Sequence, residues 1–128
     1  MAEWDDVRRT ALALPATTEE TSREGHRVWR VQGRTFARER PLRRADLAEL
    51  GDAAPAGPVL ALHVPDLGAR AALLADDPAV FFTTSHFDGY PVVLARLEEV
   101  AVPELTELIG EAWACRAPRR LAAGHRPA

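Results

Sequence analysis

Between Thr17 and Arg40 the chain is rich in Thr, Val, Trp, Phe and charge, and it is cut by Glu24-Gly25 and Gln32-Gly33. A glycine after a polar residue supplies the positive φ of a tight hairpin, so the segments on either side are steered antiparallel by local chemistry alone. Three strands in a meander follow, and the remainder of the chain has to be built around a sheet.

Upstream, Trp4, Val7, Ala11 and Leu14 recur at helical spacing with Asp5, Asp6, Arg8 and Arg9 between them, and Pro15 stops the pattern. Leu42 to Pro58 is rich in Ala, Gly, Pro and Asp, with a short helical turn expected near Ala45 to Leu50 before a loop. Val59 to Val64 reads as a strand, and Pro65-Asp66 opens a helix to about Ala75 with Asp66 as its N-cap. Asp76-Asp77-Pro78 ends that helix, and strands are expected over Val80 to Thr84 and Val92 to Leu97. Pro103 opens a last helix whose face is marked by Leu105, Leu108, Ile109, Ala112 and Trp113, and Ala117-Pro118 closes it. The layout is α+β, an antiparallel sheet with helices packed on one face, the other face being left for solvent or a ligand. A single domain over residues 1–121 is expected, with 122–128 as a flexible tail.

Composition narrows the function classes. No uninterrupted apolar run approaches the roughly 20 residues of a membrane helix, and no cationic segment leads an apolar run at the N-terminus, so a cytoplasmic location without membrane contact is expected. The lone Cys115 has no partner for an internal disulfide or a multi-cysteine zinc site. A formal charge of -3 opposes whole-chain attraction to phosphate, so any nucleic-acid contact must be local. All 16 basic residues are Arg, the side chain suited to bidentate phosphate or carboxylate contacts.

The run Phe81-Phe82-Thr83-Thr84-Ser85-His86-Phe87-Asp88-Gly89-Tyr90-Pro91, followed by Leu94-Ala95-Arg96-Leu97, resembles a segment of the MmcQ/YjbR family: paired Phe, His-aromatic-Asp-Gly-Tyr-Pro turn, Leu-x-Arg-Leu strand. Trp4-Asp5-Asp6-Val7-Arg8, Leu12-Ala13-Leu14-Pro15, Ala75-Asp76-Asp77-Pro78 and Ala112-Trp113 with Ala117-Pro118-Arg119-Arg120-Leu121 also resemble family positions, in order and spacing. The family commonly has a Trp-Gly-His-like turn where this chain has Arg23-Glu24-Gly25-His26-Arg27-Val28-Trp29. The resemblance implies a CyaY-like fold, shared with the frataxins, and DNA binding; it carries no catalytic residue set.

Read as chemistry, the Arg residues divide as follows. Arg34 and Arg38 share a strand parity about Phe36, Arg96 shares one with Val92 and Leu94, and Arg119 and Arg120 follow the last helix. These five are the candidate nucleic-acid contacts, against the reading that Glu39, Glu98 and Glu99 neutralise them as solvated surface charge. The alternative is a small-anion or protein-interaction site around His86, Tyr90 and Arg96, in which the near-neutral pKa of histidine is useful; against it, His86 serves as turn architecture. His63 lies on the parity opposite Leu60, Leu62 and Val64 and faces the less covered side. No metal-ligand spacing links His26, His63, His86 and His125, and Arg8 and Arg9 interrupt the acids of the first helix that an iron-binding ridge would need. Trp4 and Trp113 sit on core stripes, and Trp29 stays open as a base-stacking candidate. No phosphate loop, nucleophile elbow or paired carboxylates appear, so no enzyme and no cofactor is expected.

Overall fold

The computed structural model describes residues 1–124. Six strands form one antiparallel sheet in the order β1-β2-β3-β4-β6-β5: β1 Thr17–Thr21, β2 Arg27–Val31, β3 Arg34–Glu39, β4 Val59–His63, β5 Phe81–Phe82 and β6 Val92–Arg96. Five helices accompany it: α1 Trp4–Leu12, α2 Arg44–Leu50, α3 Leu67–Asp76, α4 Val102–Arg116 and α5 Arg119–Gly124. The β2–β3 hairpin turns on Gln32 and Gly33, both at positive φ (46° and 82°), the two-residue turn whose twist matches the strands it joins.

Residues paired across the strands share a face. The row Glu19, Trp29, Ala37, Leu62 and Val93 points to the helix layer of α1, α3 and α4. There the last helix behaves as its stripe requires, with Leu105, Leu108, Ile109, Ala112 and Trp113 all buried. Pro103 lies in its first turn, where a missing N–H costs nothing. Trp29 is fully buried, its ring centroid 6.2 Å from that of Trp4, and its Nε1–H donates to Glu19 Oε1 at 2.9 Å. It is therefore a core residue and offers no face to a base. Trp113 is tied in the same manner, donating to the Pro15 carbonyl at 3.0 Å.

One irregularity decides which charges reach the other face. Val28 pairs with Arg38 and Trp29 with Ala37, but Arg30 pairs with Thr35 and Val31 with Arg34, so Phe36 is an extra residue in β3, a β-bulge. Phe36 and Ala37 are both buried in the helix-side core. The expected common parity of Arg34 and Arg38 fails for this reason: the register places Arg34 with Val31 and Arg38 with Val28, on opposite faces.

The second face is not left wholly to solvent. Leu42 and Leu50, flanking and ending α2, pack on Val59, Ala61, Phe82, Phe87 and Leu94 and roof the β4–β6–β5 half. The roof stops there, since Val28 on β2 joins neither apolar cluster. At the C-terminus, α5 extends the ordered domain past Leu121, and Leu121 and Ala122 pack on the core. The expected tail of 122–128 thus overlaps a helix over 122–124, and 125–128 lie outside the described residues.

Candidate functional site

Under the roof, polar groups are tied to one another. Arg40 and Asp46 are 2% and 4% exposed and lie 3.2 Å apart, Nη2 to Oδ2. Burial pushes the Asp46 carboxyl up. The Arg43 backbone N–H at 2.8 Å, the Arg40 charge and the Thr84 hydroxyl outweigh that and hold it below its ordinary value. The same carboxylate caps the start of α2, so one residue fixes both the helix end and the buried cation. Arg40 also donates to the Pro41 carbonyl and lies 5.3 Å over the Phe87 ring. Glu49 of α2 accepts from the Ser85 N–H and hydroxyl, pinning the turn of the Phe81–Pro91 run to the roof.

That turn is further held from the helix side. Arg70 on α3 donates through Nη1 to the carbonyls of Phe87 and Tyr90 at 2.8 and 3.0 Å. His86 is exposed and meets Phe87 edge-on, and Tyr90 is 62% exposed. Arg96 lies at the far end of β6 from Tyr90, pairing with Val59. It spends Nη1 on the Pro78 carbonyl and Nη2 on that of Ala53, at 3.3 and 2.9 Å, and stacks 4.6 Å over Phe82. His86 and Tyr90 therefore share a loop, while Arg96 is occupied elsewhere as a cross-brace.

The open half is different. Arg38 is half-buried on the second face, and among the described residues no acid closes on it. Burial first, then the charges of Arg40 and Arg43, hold its guanidinium below the usual value. Glu39, the acid expected to neutralise it, pairs with Arg27 at 3.6 Å, and Glu20 pairs with Arg30 at 3.3 Å. His63 is half-buried on the same face as Arg38. Burial, Arg116 and Arg38 lower its pKa to about 4. Arg116, at the end of α4, donates through Nε to the Thr35 carbonyl at 3.1 Å. Arg119 and Arg120 follow on α5, exposed. Cys115 is half-buried, donates to the Ala112 carbonyl, and burial pushes its thiol up, away from reactivity.

Two shallow clefts flank these groups. One, of about 280 Å³, is lined by Trp4, Pro41, Leu42, Leu47 and Pro58. The other, of about 340 Å³, lies between α5 and the β2–β3 turn and includes Gln32, Arg120 and Leu121. Neither contains His86, Tyr90 or Arg96. Among the described residues no cluster of His, Cys, Asp or Glu is arranged to hold a metal ion, and no helix is long and apolar enough to cross a membrane.

Sequence reasoning missed Arg40, Asp46, Arg70 and Arg116, the groups that organise the two halves. The signal for Asp46 was present, an acid in the first turn of a short helix, where it caps. Arg70 and Arg116 act over long sequence separations and left none.

The sequence model of the YjbR family matches residues 12–115. The chain belongs to the YjbR family. YjbR relatives include uncharacterised proteins of Mycobacterium bovis and Mycobacterium tuberculosis, each 48% identical over 94% of this chain and 93% of the relative. A crystal structure of a Deinococcus radiodurans protein with a DUF419 domain superposes with a TM-score of 0.66 at 21% identity. It covers 89% of this chain and 78% of its own, which shows that the α+β fold is shared. Arg38 and His63 fall inside the YjbR match; Arg116, Arg119 and Arg120 lie just beyond its end.

Proposed function

We propose that this YjbR-family chain is a nucleic-acid-binding module that makes weak, electrostatic contacts with phosphates through the open half of its second sheet face. The contacting groups are Arg38 and Arg43, with Arg119 and Arg120 on the flank. The observation that carries this reading is Arg38: a half-buried guanidinium, crowded by two like charges, with no acid closing on it among the described residues. Holding a cation there costs stability, and an anion seated on the face offsets that cost. The net charge of -3 restricts the attraction to this surface and keeps it weak.

The mechanism is release of condensed counterions, with no base readout required. Fluorescence anisotropy with duplex and single-stranded DNA over a salt series tests it. Each phosphate contact adds about -0.9 to the log–log salt slope on duplex, so a slope of about -2 to -4 is expected from these groups. Absence of binding to either form at low salt overturns the reading.

A further inference from the structure

Phosphodiester contact leaves one group of the open face unused, the His63 imidazole. Arg38 pairs with Ala61, and His63 stands two residues further along β4 on the same face, which makes it the diagonal neighbour of Arg38. Its partner on β6 is Val92, which brings no charge. From the helix layer Arg116 reaches the start of β3, fixed by Nε–H to the Thr35 carbonyl at 3.1 Å, and its two Nη groups make no ion pair among the described residues. His63 thus has a guanidinium on β3, another from α4, and an apolar neighbour on β6. Tyr90, 62% exposed, lies at the same end of the sheet, two residues before Val92.

We propose that Arg38, His63 and Arg116 form a subsite for a phosphomonoester, the free phosphate end of a nucleic-acid strand or of a single nucleotide. It rests on the nucleic-acid reading for the source of its ligand and narrows that ligand to a terminal phosphate. Two guanidinium groups supply planar donors to phosphate oxygens. A terminal phosphate carries about -1.5 to -2 charges near neutral pH and a second pKa of about 6, whereas an internal diester carries one charge and no proton. Burial, Arg116 and Arg38 hold His63 neutral, at a pKa of about 4, so its unprotonated nitrogen can accept the proton of a phosphate monoanion. A bound dianion instead neutralises the two cations and lets the imidazole protonate and donate. Either way, occupancy and the His63 proton are coupled. The Tyr90 ring then offers a flat surface for the adjoining base.

The test is an NMR pH titration of the imidazole Cε1–H signals of the intact protein in inorganic phosphate and in sodium chloride at matched ionic strength. Saturating phosphate is expected to raise the His63 pKa by more than about one unit while His26 and His86 move together and little. Equal shifts at all three, or none at His63, overturn the subsite. In parallel, a 5′-phosphorylated single strand is expected to bind at least about fivefold more tightly than its 5′-hydroxyl twin, and His63→Gln to remove that difference; no difference in the wild type overturns the proposal. A nucleoside monophosphate that competes as well as the phosphorylated strand identifies the free nucleotide as the ligand. The two readings fail separately. DNA binding without a His63 response removes the subsite alone, while a His63 response without binding of the 5′-hydroxyl DNA at low salt removes the polyanion reading alone.

Discussion

The two halves of the second sheet face carry the same residue type and treat it in opposite ways. Under the roof, Arg40 is fixed by Asp46 and Arg96 by two backbone carbonyls. On the open half, Arg38 has no acid against it, and at the start of β3 Arg116, reaching from the helix layer, is held only by its Nε. Arginine number therefore does not locate a binding surface in this chain; the partners already spent on each guanidinium do. A cation committed to a counter-charge or to carbonyls is a brace, even with the Arg40 Nε left buried without a hydrogen-bond partner, and one that is half-buried without a counter-charge is available to an anion.

That contrast can be broken most forcefully at Asp46. Asp46→Asn leaves Arg40 as an uncompensated buried charge and weakens the cap of α2, and a loss of about 3–5 kcal/mol in urea unfolding is expected. A loss below about 1 kcal/mol would mean that the roof is held by its leucines alone. Arg96→Ala removes two charge-assisted hydrogen bonds and a ring contact at a partly exposed site, for which about 1–2 kcal/mol is expected. Its DNA affinity should stay within twofold of the wild type; a tenfold loss would return Arg96 to the binding surface.

Arg38→Ala should show the reverse pattern. Melting should change little or rise slightly, because a like-charge cluster is relieved, while the salt slope on duplex falls by about one contact. A large destabilisation with unchanged binding would make Arg38 another brace.

A further effect appears only in acid. His63 has a lowered pKa in the folded state, about 4 against 6.5, so the unfolded chain takes up the proton first. The His63 contribution should be constant above about pH 6.5 and be lost as pH drops towards 4. His63→Gln should flatten that limb relative to wild type, measured by thermal melts at several pH values. An identical slope in the variant would show that His63 titrates as if exposed.

The elements were legible where chemistry is local. The Gly33 and Gly25 turns, the Asp66 cap, whose side chain accepts from Ala69 N–H at 2.7 Å, and the stripe from Leu105 to Trp113 all form as their spacing dictates. What failed depended on long-range register or pairing. Alternation about Phe36 assumes a regular ladder, and a bulge is visible only once β2 is laid against β3. Neutralisation of Arg38 by Glu39 follows from adjacency in sequence, yet neighbours in a strand face opposite sides, and Glu39 reaches Arg27 instead. Tying Arg96 to His86 and Tyr90 rested on one motif, and β6 extends between them. The roof was invisible for a related reason: its polar anchors, Arg40 with Asp46 and Glu49 with Ser85, join residues that the sequence assigns to different segments.

The extra residue in β3 makes two traits of the protein heritable only together. Phe36 fills the core, and the same position sets the phase that sends Arg34 to one side of the sheet and Arg38 to the other. Deleting Phe36 restores plain alternation without turning over any other side chain, at the cost of a large void. Keeping it in a regular strand would bring Arg34 round beside Arg38 and enlarge the cationic display. Loss of the bulge with Phe36 retained, rather than deletion of the residue, is the change by which a lineage could redraw the charge on its open face, and it would turn the Phe36 ring out of the core.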